Sequence, residues 1–185
     1  MGAALIPLSE VLNQLTKVFK EEGYDSATLS RLSSATGLGK ASLYHYFPGG
    51  KVDMAIAVAK RSNELFHQMV IAPLESGGDA VHRIEQMINN IDTYYSKGED
   101  SCLLGMLAMG GSSDLFRQHV RHGLGQWVEA LAQTLVEAGH SPSVAHQRAE
   151  DTVFRVEGAL LVVRGIGDPG PFSRMLAQLK DQLLA

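Results

Sequence analysis

EGYDSATLSRLSSATGLGKASLYHYFPGGK, Glu22 to Lys51, decides how the rest of the chain is read. It holds two short helical patterns broken by a glycine turn. In Thr28 to Ala35, Leu29, Leu32 and Ala35 fall on one face at helical spacing. Ser26 or Thr28 can open this helix, because a side-chain oxygen there accepts an orphan amide hydrogen bond. Gly37 can take the left-handed conformation that ends it and turns the chain. Lys40 to Phe47 starts a second helix with Leu43 and Phe47 inward. Lys40, Ala41, Ser42, Tyr44 and His45 are left outward or at its edge. Two helices on a short glycine turn, the second small and polar at its start, form a helix-turn-helix pattern.

The second helix suits contact with a duplex. Gly39, Ala41 and Ser42 are small and let its first turn approach the floor of a major groove. Amide N–H groups and the helix dipole favour phosphate there. Lys40 and Lys51 supply charge, and Ser42, Tyr44 and His45 supply donors that reach phosphate oxygens. A plain helical hairpin with solvated polar residues shares this coarse pattern, so the detailed order of residues decides.

That order resembles the TetR family of bacterial transcription repressors. The likeness runs from Val18-Phe19-Lys20-Glu21-Glu22-Gly23-Tyr24 through Thr28-Leu29, Ala35, Gly37-Leu38 and Lys40. It continues through Ser42-Leu43-Tyr44-His45-Tyr46-Phe47 to Lys51. The resemblance implies that the second helix enters the major groove. Lys40, Ala41, Ser42 and Tyr44 would then lie at base edges and phosphates, His45 and Lys51 on phosphates, with Thr28 and Gly39 beside them. The chain departs from the common pattern twice. Gly49 and Gly50 separate Phe47-Pro48 from Lys51 where many members have one residue, as in a Phe-Pro-Gly-Gly-Lys subgroup. Gly39 stands where a capping Ser or Thr is common.

Net charge is -4 over 185 residues, which at first argues against a nucleic-acid partner. The charge is unevenly placed. Met1 to Ser62 carries seven Lys/Arg against five Asp/Glu, and Asn63 to Ala185 carries nine against fifteen. The positive excess lies at the N-terminal end, where the helix-turn-helix is. It is modest, and two copies side by side would double it. A hydrophobic fraction of 45% is that of an ordinary soluble protein. Apolar runs are too short to span a membrane. Met1 to Leu8 lacks the basic start and apolar core of a signal peptide and reads as a short arm. The single Cys102 forms no internal disulfide, which agrees with a cytoplasmic location.

The chain divides into a DNA-binding head, 1–62, and a helical ligand-binding and dimerisation body, 63–185. No stretch alternates as a strand does, so the fold class is all-α. Ser9 to Glu22 is a first helix ended by Gly23, and Lys51 opens a long helix through Val52, Ile56, Ala59 and Phe66. The expected head core is Tyr24, Leu29, Leu32, Leu43, Phe47 and Ile56. Ala72 to Gly78 reads as a linker, and Asp79 caps a helix with Val81, Ile84, Met87, Ile88 and Ile91 inward. Cys102 to Ala108 is a short apolar helix expected to be buried all round. Ser112 to Ala138 reads as one helix, with Leu115 and Phe116 on its apolar face. Ser141-Pro142 starts another, and Phe172 to Leu184 is the last. These last two helices are expected to form a homodimer seam that includes Leu160.

His119 and His122 have ligand spacing on one helix, but no Cys or carboxylate pattern joins them, and no metal or other cofactor is expected. No catalytic triad order, phosphate loop or carboxylate pair stands out, so no enzyme activity is expected. Cys102 opens an apolar helix and reads as a structural thiol more than a redox sensor. Met69, Tyr94, Met106, Met109, Phe116, His119, Trp127 and Phe154 supply bulky, adaptable surface of the kind that lines sites between helices. That they hold a small apolar effector is implied by the family resemblance. The expected function is a homodimeric repressor released from a double-stranded DNA operator by that effector. The rival from another class is an all-α small-molecule-binding protein or enzyme with a vestigial head.

Overall fold

The computed structural model describes residues 6–185, and every helix and turn of these residues is joined without a strand. Of the expected arm Met1 to Leu8, residues 1–5 lie outside the described residues. In order, the helices are α1 (Leu8–Ser26), α2 (Leu29–Thr36), α3 (Lys40–Tyr46), α4 (Lys51–Phe66) and α5 (Ala72–Glu75). Then come α6 (Ala80–Tyr94), α7 (Leu103–Ala108), α8 (Arg117–Glu137), α9 (Pro142–Ile166) and α10 (Gly170–Leu184). The fold is all-α.

The chain forms two compact units. The first takes the chain up to Ser62 together with Leu103–Val120; the second takes Asn63–Cys102 and Arg121–Ala185. The segment 103–120 is the point at which this differs from a single cut after Ser62. α7 is too short to bury its own apolar face, and it packs on α1. Leu103, Leu107 and Phe116 thereby enter one core with Val11, Leu15, Phe19, Leu32, Leu43, Phe47 and Val58. Each such side chain contributes about 1.5–3 kcal/mol by leaving water. Leu32, Leu43 and Phe47 of the expected core are buried, whereas Tyr24, Leu29 and Ile56 are only partly buried against it. On α4 Met54, Ala55, Val58, Ala59 and Phe66 are buried; Ala59 and Phe66 are as expected, while Val52 and Ile56 are only partly buried.

Gly23 has φ +73 and ψ 170, so the regular part of α1 ends there as its sequence predicts. Tyr24 then stacks on Phe19 and meets Phe116 edge-on with centroids 4.8 Å apart. The same corner is closed by Asp25, whose carboxylate accepts from the Ser112 hydroxyl at 2.5 Å. That hydrogen bond, with the amides of Ser112 and Gly111, holds the Asp25 carboxyl below its ordinary value.

In the second unit the expected linker is largely helical. α4 runs on through a π-helical turn, His67–Ile71, into α5, and the break comes at Ser76 to Gly78. Pro73 explains the turn: it has no N–H for the Met69 carbonyl four residues back. The Asn90 side-chain amide donates to that carbonyl instead, at 2.6 Å. Asp79 caps α6, accepting from the His82 N–H at 2.8 Å. Ile84, Met87, Ile88 and Ile91 are buried, while Val81, expected inward, faces out. Buried Arg83 donates to the carbonyls of Leu74 and Ser76 and pairs with Glu137, tying α5, α6 and α8 together. Phe66, Tyr94, Tyr95, Trp127 and Phe172 form a run of edge-on rings behind it. Ser112 to Ala138 is not one helix: a 3-10 turn, Ser113–Leu115, precedes α8 and leaves Leu115 exposed. α9 buries Ala149, Val153, Val156, Leu160 and Val163, and α10 buries Phe172, Leu176, Leu179 and Leu183.

Candidate nucleic-acid interface

The helix-turn-helix is held by side chains as well as by glycine. Thr28, one of the two expected caps, accepts the Arg31 N–H at 3.2 Å and opens α2. Gly37 at φ +67 closes it. Ser33 then donates to the Leu38 carbonyl at 2.5 Å, and Thr36 donates to the Leu32 carbonyl at 2.9 Å. Neither role was read from the sequence, although Ser and Thr just before a turn are the residues that bond to nearby backbone. Gly39 gives α3 no side-chain cap, as its chemistry requires.

The direction of α3 follows from its two apolar anchors. Leu43 is fully buried and Phe47 is 4% exposed. Lys40, Ala41, Ser42, Tyr44 and His45 are therefore all turned outward, together with Gly39 and, at the start of α2, Thr28. α3 thus presents outward a cation, two hydroxyl donors, an imidazole and the small Ala41, with Gly39 just before it and the Thr28 hydroxyl exposed at the start of α2. Tyr46, next in line, does something else: its hydroxyl donates to the Ile6 carbonyl at 2.9 Å and ties the arm to the head.

Lys51, expected on a phosphate, has partners within the first unit. Its Nζ donates to the carbonyl of Tyr24 at 2.9 Å and to that of Asp25 at 3.4 Å. It also lies 4.3 Å over the Tyr24 ring. The lysine thus caps the carbonyls at the end of α1 and joins that end to the start of α4.

The residues expected to line a ligand site do not gather in one unit. Met106, Met109, Phe116 and His119 belong to the first unit; Met69, Tyr94, Trp127 and Phe154 belong to the second. Phe116 is fully buried in the first unit's core, so its size is explained by packing on Tyr24. Trp127 is likewise fully buried, with its indole N–H on the Met87 sulfur at 3.4 Å. Met69 and Tyr94 are half-buried, Met109 is exposed, and Phe154 is 68% exposed on the outer face of α9 rather than turned inward. An open cleft of about 640 Å³ in the second unit is lined by Leu74, Gly77, Arg83, Glu129, Gln133 and Glu137, none of them in the expected set. Cys102 is buried and is hydrogen-bonded with Tyr95 and Glu157.

A short glycine turn between two anchored helices, the second presenting small and polar side chains outward, is the arrangement of a helix-turn-helix. Comparison with known proteins specifies which kind. Residues 11–58 match the model of bacterial regulatory proteins of the tetR family, and residues 80–178 match the C-terminal domain of LmrA/YxaF-like transcriptional regulators. The chain belongs to the TetR family and is a transcriptional regulator with an LmrA/YxaF-like C-terminal domain. It is 26% identical over 178 residues to the HTH-type transcriptional regulator LmrA of Bacillus subtilis, covering 94% of this chain and 95% of that one. Over 51 residues, 28% of this chain and 27% of the other, it is 37% identical to the HTH-type transcriptional repressor AcnR of Corynebacterium glutamicum. The crystal structure of a TetR transcriptional regulator from Legionella pneumophila has the same fold, with a TM-score of 0.83 at 20% identity over 98% of each chain. Among the described residues no helix is long and apolar enough to cross a membrane.

Proposed function

We propose that this regulator is a cytoplasmic repressor that binds a double-stranded operator as a homodimer and leaves it on binding a small, mainly apolar effector. The outward face of α3 carries the reading: Lys40, Ala41, Ser42, Tyr44 and His45 are exposed while Leu43 and Phe47 beside them are buried. Exposed donors of this kind are the side chains that contact phosphate oxygens and base edges. The likeness to a named repressor over 51 residues supports repression. The rival reading, a binding protein or enzyme with a vestigial head, is not favoured by relatives named as transcriptional regulators. For the effector, half-buried Met69 and half-buried Tyr94, whose ring meets Phe66 edge-on, are the supporting residues. Phe116 is left out of that set because the first unit's core accounts for it.

Two lysines separate the DNA reading from a structural one. A duplex is first selected from a random library with the wild-type protein, and affinity is then followed against salt. Lys40→Ala should weaken binding to all duplexes and lower the salt slope by about one unit, without changing the melting temperature. Lys51→Ala should instead lower the melting temperature, because Tyr24 and Asp25 lose their donor. Failure to select any duplex, or an unchanged slope for Lys40→Ala, would contradict the proposal.

A further inference from the structure

The turn between α3 and α4 contains two glycines with separate steric roles. A Cβ on Gly49 would lie 2.4 Å from the Asp53 carboxylate. Its absence lets Asp53 fold back and accept the Gly49 N–H at 2.6 Å. A Cβ on Gly50 would lie 3.2 Å from Cε1 of Tyr44 and 3.8 Å from its Cζ and hydroxyl oxygen. Gly50 has φ +70 and is buried, whereas Tyr44 is 44% exposed. The tyrosine ring therefore lies across the space that any other residue at 50 would fill.

We propose that Gly50 is a positioning residue for DNA recognition: its missing side chain seats the Tyr44 ring and fixes the direction in which the phenol hydroxyl leaves α3. The inference rests on the reading that Tyr44 touches DNA. An exposed tyrosine on a short helix otherwise samples several rotamers. One held against the backbone of the next turn presents its donor in a single orientation and loses less freedom on binding. The same observation gives the second glycine of Phe47-Pro48-Gly49-Gly50-Lys51 a purpose beyond turning the chain.

The test is a double-mutant cycle on the duplex selected by the wild-type protein, with a thermal melt of every variant. Tyr44→Ala should weaken binding. Gly50→Ala should weaken it about tenfold, and should add nothing in the Tyr44→Ala background. Gly50→Asn separates contact from backbone strain, since Asn tolerates a positive φ yet still carries a Cβ. It should melt closer to wild type than Gly50→Ala does, and bind as weakly. An equal loss from Gly50→Ala in both backgrounds, or recovery of affinity in Gly50→Asn, would overturn the inference while leaving Tyr44 at the DNA. Wild-type affinity in Tyr44→Ala alone would overturn the DNA-contact reading itself.

Discussion

Glu157 illustrates how one side chain sets a pH response. Its Oε1 is closed off from solvent and has no hydrogen-bond partner. Burial pushes its carboxyl above the ordinary range, and the Cys102 thiol bonded to it opposes that shift. The folded state therefore holds this proton to a higher pH than the unfolded chain does. Stability from this group is fully present below the ordinary carboxylate value and is lost as pH rises from there to the folded value. Glu157→Gln removes the titration and keeps the shape. It should raise the melting temperature at about pH 8 and much less at about pH 4, each kcal/mol gained being worth about 2–4 °C. Melts by circular dichroism at the two pH values measure this, and an equal shift at both would contradict it. Glu137 has the opposite sign: the hydrogen bond from Arg83 draws its carboxyl down, so its contribution is lost as pH falls. Such partners were not legible in the sequence. Cys102 and Glu157 are far apart along the chain, and only the packing of α9 brings them together.

At the scale of the element, α9 is apolar on two sides. Leu160, placed in the dimer seam by its spacing, is 4% exposed and belongs to the monomer's own core. The uncovered side is Phe154, Leu161, Val162 and Ile166, exposed by 68%, 55%, 49% and 60%, with Gly158 and Gly165 among them. Helical periodicity identifies apolar positions without saying which side meets the helix's own unit. One residue is about 100° around a helix, so Leu160 and Leu161 have different fates. An exposed apolar stripe this long, with glycines that allow close approach, suits a second copy of the same helix. Leu161→Glu should yield monomers that keep their helical content in sedimentation equilibrium and circular dichroism. Leu160→Glu should instead lose the fold, because it buries an unpaired charge. A Leu161→Glu protein that still sediments as a dimer would contradict this seam. Where an element's ends carry their own chemistry the sequence is enough: Thr28, Asp79 and Ser141 all act as the caps expected of them. The π-turn after Phe66 was hidden because the donor that replaces the Pro73 amide is Asn90, on another helix.

In the whole molecule the same contrast recurs. The helix-turn-helix was legible because its signals are local: cap, turn glycine and alternating burial within a few turns. The membership of 103–120 in the first unit was not. It depends on Phe116 meeting Tyr24 and on Ser112 meeting Asp25, 87 positions apart in the chain. The charge asymmetry pointed to the correct end of the chain, but not to the engagement of Lys51 by backbone carbonyls. On the proposed function the outward face of α3 reads a major groove. The most direct measurement is dimethyl sulfate protection of the selected duplex with the wild-type protein bound. Guanine N7, a major-groove atom, should be protected in two patches about one helical turn apart, as two copies of α3 would produce. Bound duplex in which guanine N7 stays fully reactive, with protection only at minor-groove adenine N3, would contradict it.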